Sequence, residues 1–235
     1  MLLLAFDTAT PAVTVAVHDG SQVVAEESAV DARRHGELLA VAIDRVLRTA
    51  GARQADLTAV AVGTGPGPYT GLRAGLVTAA VLSSALAIPA DGICTLDVIA
   101  AAAAAGREFL VATDARRREV YWARYDGNGQ RLAGPFVGKP ADLPAGMPVA
   151  GAGATLYPEL AQRAAEPQYP SAATLAELAA ARLAAGEPPT PPEPLYLRRP
   201  DAREPGPRKR VTEPRPSATA GGSGGSSPRA VRKTT

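Results

Sequence analysis

The chain has 235 residues, 46% of them hydrophobic, which suits one large domain or two small ones and excludes wholesale disorder. A single cysteine, Cys94, excludes a disulfide framework and a cysteine-built zinc site, and two histidines, His18 and His35, are too few for an all-histidine metal site. The net charge of +2 is uneven: residues 201–235 carry eight basic and three acidic residues, whereas 1–200 carry 17 basic and 20 acidic ones. A mildly acidic body with a basic tail is therefore expected, and not a nucleic-acid-binding domain.

The N-terminus is apolar for six residues before Asp7, with no basic lead and no cleavage-like site, so no secretory signal is expected. Residues 2–6 and 12–18 read as strands, Asp19-Gly20 as a turn and 21–28 as a third strand, together an antiparallel meander. From His35 to Ala50, Leu39, Ile43, Val46, Leu47 and Ala50 share one helical face, Glu37, Asp44 and Arg48 lie opposite, and Gly51 is the stop. Residues 58–62 predict a buried strand, 63–71 a Gly/Pro loop and 71–87 a helix of small residues with Thr70 as its N-cap. The uncharged stretch 74–90 reads as a buried helix and not a membrane span. A strand near 90–94 and an Ala-rich helix near 95–105 follow. The protein is expected to be soluble and cytoplasmic.

Leu110 to Asp114 then restarts the pattern of Leu3 to Asp7. At a constant offset of 107, residues 3–20 and 110–127 match at seven of eighteen positions: Leu3/Leu110, Ala5/Ala112, Asp7/Asp114, Val13/Val120, Ala16/Ala123, Asp19/Asp126 and Gly20/Gly127. About one match is expected by chance at average residue frequencies. Two related lobes are inferred, 1–105 and 106–200, each opening with the same hairpin. The second is poorer, rich in Gly, Pro and Ala, with one clear helix at 175–185 that Thr174 to Glu177 start as a capping box and Gly186 stops. Residues 201–235, rich in Pro, Gly, Ser and Arg, read as a disordered tail.

Two hairpins, each with an aspartate at the end of its first strand, suit a cleft for a metal-bound phosphate: carboxylates hold the cation and turn amides hold the anion. This is the logic of the actin-like ATPase fold, in which a Gly follows the Asp. Neither Asp7-Thr8-Ala9-Thr10 nor Asp114-Ala115-Arg116-Arg117 contains one, so the plainer reading is that both aspartates cap their turns. Gly63 to Gly71 superficially resembles a phosphate loop, but no Lys follows and Pro66 and Pro68 remove N–H donors. A shaping loop is the better reading. The 71–87 helix has no charge after Arg73, so most of its sides need cover, by the 35–50 helix, by another subunit, or by both. Arg116-Arg117-Arg118 reads as solvated surface, with a phosphate or acidic partner as the alternative. His35 reads as structural, His18 as unpaired, and Cys94 and Trp122 as core.

The runs Leu4 to Thr10, Gly65 to Gly75 and Asp114 to Ala123, with Glu193 to Arg199 at the end, carry a family resemblance over about 1–200. The chain resembles the TsaB (YeaZ) family, the non-catalytic actin-like subunits of the bacterial machinery that makes N6-threonylcarbamoyladenosine at tRNA position 37. The resemblance implies an α/β fold of two actin-like, ribonuclease H-like lobes, the second abbreviated. It implies pairing with a TsaD-type catalytic subunit through the 35–50 and 71–87 helices, contact with a TsaE-type ATPase, and tRNA reached only through the complex, with no membrane partner. Leu39, Ile43, Val46, Leu72, Leu76, Ala79 and Ser83 are the contact residues expected; Asp7, Thr8 and Asp114 are degenerate positions of the nucleotide cleft. The His-x-x-x-His pair of the catalytic subunits is missing here, which argues against an autonomous transferase and against the glycoprotease label of the superfamily. ATP or ADP and the metal then belong to the partner subunits. The competing readings are an active actin-like ATPase or small-molecule kinase using Asp7 and Asp114, and a stand-alone homodimer.

Overall fold

The computed structural model describes residues 1–103 and 106–198. The tail expected at 201–235 lies outside the described residues. Hydrophobic alternation and turn chemistry build the first half as anticipated: β1 (Leu3–Asp7), β2 (Ala12–His18) and β3 (Val23–Val30) form the meander. Next come α1 (His35–Thr49), β4 (Ala59–Gly63), α2 (Tyr69–Leu86), β5 (Ala90–Ile93) and α3 (Thr95–Ala103). The second half repeats the order with β6 (Phe109–Asp114), β7 (Val120–Tyr125), β8 (Arg131–Gly138), β9 (Val149–Ala150), α4 (Gly153–Leu156), α5 (Pro158–Ala161), β10 (Ala164–Ala165) and α6 (Ala172–Ala184).

Each half makes a five-stranded mixed sheet, ordered β3-β2-β1-β4-β5 and β8-β7-β6-β9-β10. In both, the hairpin pairs are antiparallel and the last two strands are added in parallel. The same order and the same strand directions in both halves make this the doubled, actin-like α/β fold. Abbreviation of the second copy is visible in β9 and β10, two residues each, and in α4 and α5, four residues each.

The first sheet is covered on both faces. Leu4, Phe6, Val13, Val15 and Val17 meet α1 and α2 on one side; Leu3, Ala5, Ala59 and Ala61 meet Leu175, Ala176 and Ala179 of α6 on the other. The helix expected within the second lobe thus completes the core of the first sheet. Its start also differs from expectation: Ser171 is the N-cap, its hydroxyl accepting from the Thr174 N–H, so Thr174 is the third residue of the first turn and not the cap. Similarly, α2 begins at Tyr69 after Pro68, leaving Thr70 inside the helix and exposed. Proline before the first helical residue presets the entry and supplants the side-chain cap.

Candidate functional site

Asp7 ends β1 with no solvent exposure; its Oδ1 accepts the Ala9 N–H at 2.7 Å and its Oδ2 accepts the Thr95 hydroxyl at 2.7 Å. Burial pushes its carboxyl above the usual range, against the opposing influence of those hydrogen bonds and of His35. Thr8 is equally enclosed, its hydroxyl donating to the Gly71 carbonyl and accepting from the Gly75 N–H. The glycines of 63–75 therefore have a clear task. A side chain at Gly67 would fall on the Ala9 carbonyl, and one at Gly75 on the Thr8 hydroxyl. The first hairpin turn packs directly onto these glycines, so the loop grips protein.

Asp114, at the equivalent strand end, caps its turn in the same way: Oδ1 accepts the Arg116 N–H at 2.8 Å and the Tyr157 hydroxyl at 3.0 Å. Unlike Asp7, it borders open space. A cavity of about 340 Å³ lies between the hairpin turns, lined by Thr10 and Pro11 from the first, Thr113, Asp114 and Arg116 from the second, and Tyr169. Thr113 Oγ1 is buried there without a hydrogen-bond partner. Among the described residues, no cluster of three or more His, Cys, Asp or Glu side chains is arranged to hold a metal. Neither histidine is idle: His35 Nε2 meets the Thr10 carbonyl at 2.8 Å, and His18, expected to be unpaired, accepts the Gly20 N–H through Nδ1.

The expected contact residues are placed differently from their anticipated role. Leu39, Ile43, Val46, Leu72, Leu76 and Ala79 are all buried in the core between α1, α2 and the first sheet, and half-buried Ser83 bonds the Ile88 carbonyl. Helical periodicity marks an apolar face but does not say whether the chain's own sheet takes it. The outward face of α2 instead presents Tyr69, Val77, Ala80, Val81 and Ser84, with Val77 53% and Val81 59% exposed; Val41 stands out from α1. Trp122, expected in the core, is only half-buried, tilted against exposed Phe136 at 5.0 Å.

Cys94 is buried, and desolvation with nearby Asp97 pushes its thiol up to about 12. Native protein at mildly alkaline pH is therefore expected to resist iodoacetamide, with full alkylation only in denaturant; intact-mass measurement checks this.

No helix among the described residues is long and apolar enough to cross a membrane. A profile of the family described as "TsaD: tRNA N6-adenosine threonylcarbamoyltransferase" matches residues 22–174. An uncharacterized protein of Mycobacterium tuberculosis is 49% identical over 205 residues, covering 86% of this chain and 93% of that protein. The tRNA threonylcarbamoyladenosine biosynthesis protein TsaB of Escherichia coli is 37% identical over 134 residues, 55% of this chain and 58% of that protein. The solved structure of YeaZ from Pseudomonas aeruginosa superposes with a TM-score of 0.72 at 28% identity, covering 83% of this chain and all of that one. With the profile spanning well over half of the chain and the doubled sheet topology in place, the chain belongs to the TsaB/YeaZ family of threonylcarbamoyltransferase-related proteins.

Proposed function

We propose that this chain is a non-catalytic, complex-forming subunit for threonylcarbamoylation of tRNA adenosine 37, pairing with a TsaD-type catalytic subunit. The observation that carries the reading is the sealed glycine loop: Asp7 is wholly buried with both oxygens bonded, and Gly67 and Gly75 back directly onto the first hairpin turn. In this reading the first lobe, 1–105, does the pairing, the second, 106–200, is a shortened copy, and a TsaE-type ATPase joins the assembly. ATP and the metal ion act in the partner subunits, and a homodimer forms when the partner is missing. The pairing helices remain α1 and α2, but the contact shifts to their outer faces, centred on Val77 and Val81 of α2, with exposed Val41 on α1. Apart from Arg73 this exposed face carries no charge, and an apolar helix face of that size in water suits a partner of the same kind.

Reconstitution of tRNA modification from purified partner subunits, with and without this chain, tests the proposal. Modification is expected only in its presence, with no ATP turnover by the chain alone. Turnover by the isolated chain that Asp114→Asn abolishes would replace this reading with the ATPase one.

A further inference from the structure

The mildly acidic body conceals a local basic cluster. Arg116, Arg117 and Arg118 form the β6–β7 turn with φ of +61°, +57° and +60°, three successive L-residues in the left-handed region, where none is glycine or asparagine. Such a conformation is unfavourable at each step and persists only where the surroundings determine it. Here they do. Asp114 accepts the Arg116 N–H, Ala115 N–H bonds the Glu119 carbonyl, and Glu119 N–H bonds the Arg116 carbonyl. Arg198, the last described residue, clasps the turn from outside through the Ala115 carbonyl and the Glu119 carboxylate. The result is a fixed fan of three exposed arginines.

Beside it lies a stack. Tyr196, two residues before Arg198, lies over Tyr69 with ring centroids 5.5 Å apart and an interplanar angle of 29°. Arg73 covers Tyr69 from 5.0 Å and bonds its hydroxyl. Both tyrosines stay nearly half exposed, at 49% and 45%. Tyr196 precedes by two residues the Arg198 that clasps the arginine turn, so the stack and that turn are neighbours. Arginine forks match phosphate oxygens, and open aromatic rings take unpaired bases.

We propose that this surface binds RNA directly, the Arg116–Arg118 turn holding backbone phosphates while a base in an unpaired segment adds to the Tyr196–Tyr69–Arg73 stack. The choice of RNA rests on the proposed subunit role, in which a tRNA is at hand. It is favoured over an acidic protein by the exposed ring stack, which offers a base a π-face and offers a carboxylate nothing.

The test measures binding of fluorescently labelled, unmodified tRNA to the full chain over a salt series, by anisotropy. Replacing Arg116, Arg117 and Arg118 together by Ala is expected to weaken binding at least about tenfold at low salt. The slope of log affinity against log salt is expected to fall by about 2, near 0.7 per phosphate contact for single strands. Arg→Lys at the three positions should keep most of the slope. Tyr196→Ala is expected to cost about fivefold or more with the slope unchanged; that variant carries the test should the alanine set fail to fold. Unchanged affinity in the alanine set and in Tyr196→Ala overturns the proposal. So does equal binding of polyglutamate, insensitive to Tyr196→Ala, which would assign the surface to an acidic protein. Modification that proceeds without the chain defeats the subunit reading; modification that needs the chain, with tRNA binding unaffected by the variants, defeats this inference alone.

Discussion

Val77→Glu combined with Val81→Glu is expected to abolish capture of the chain by its catalytic partner, a loss of at least about 100-fold in affinity, and with it tRNA modification. The fold should be untouched. Both side chains project into solvent from α2, and surface changes of this kind stay within about 0.5 kcal/mol of stability. In an interface, however, two carboxylates would be desolvated against apolar surface, with only Arg73 of α2 placed to pair one of them. Leu76→Glu, one position away, is the contrasting variant. Leu76 is buried among the residues that join α1, α2 and the first sheet, so a glutamate there is expected to unfold the chain, at a cost of about 4 kcal/mol or more. Calorimetric titration with the partner, beside thermal melts, separates the two. Pairing that survives the double valine variant would mean that the outer face of α2 is not the contact.

The second large effect concerns stability. Asp7→Ala is expected to lower it by about 2–5 kcal/mol, because the Ala9 N–H and the Thr95 hydroxyl lose their acceptor in a place water does not reach. Asp7→Asn keeps the shape and one acceptor, and its effect should depend on pH. Burial raises the Asp7 pKa above 3.8 in the folded chain. The folded state therefore binds this proton more tightly than the unfolded one. The resulting stabilisation is complete below the unfolded value and is lost as pH rises through the folded one. The advantage of wild type over Asp7→Asn is thus expected to be larger in urea melts at acidic pH than at neutrality. A difference that grows toward neutral pH would show that Asp7 is stabilised as the carboxylate.

Much of this was legible in the residues, and the exceptions have physical causes. The meander, the α1 and α2 helices and the doubled fold follow from period-2 alternation, helical spacing and the repeated Leu-x-Ala-x-Asp. The repeat is not uniform, however. Asp7 pairs with Thr14 across residues 8–13, whereas Asp114 pairs with Val120 across residues 115–119, one residue fewer. Past the turn, the constant offset of 107 therefore aligns neighbours: Val13 faces α1 and α2, while Val120 faces α4. One position of slip sends a strand residue to the opposite face, and sequence identity alone does not reveal it. The turn-capping roles of Asp7 and Asp114 were readable because an aspartate bonds its own backbone two residues on. Which aspartate is sealed was not, since that depends on Thr95 and the glycine loop arriving from elsewhere in the chain. The expected contact residues illustrate a related point: an apolar helical stripe says that something covers it, and for Leu39, Ile43, Val46, Leu72, Leu76 and Ala79 the covering includes the first sheet itself.

The position of α6 has a consequence for how the molecule is made. The sheet that leaves the ribosome first is sealed on one face by the helix that leaves nearly last, after every strand of the second sheet. Leu3, Ala5, Ala59 and Ala61 have to wait for Leu175 and Ala179, so the N-terminal half cannot complete its core until the second sheet has been made. A chain stopped before Ala172 would emerge with that face bare, and such a nascent product is a substrate for chaperones before it is a subunit of anything.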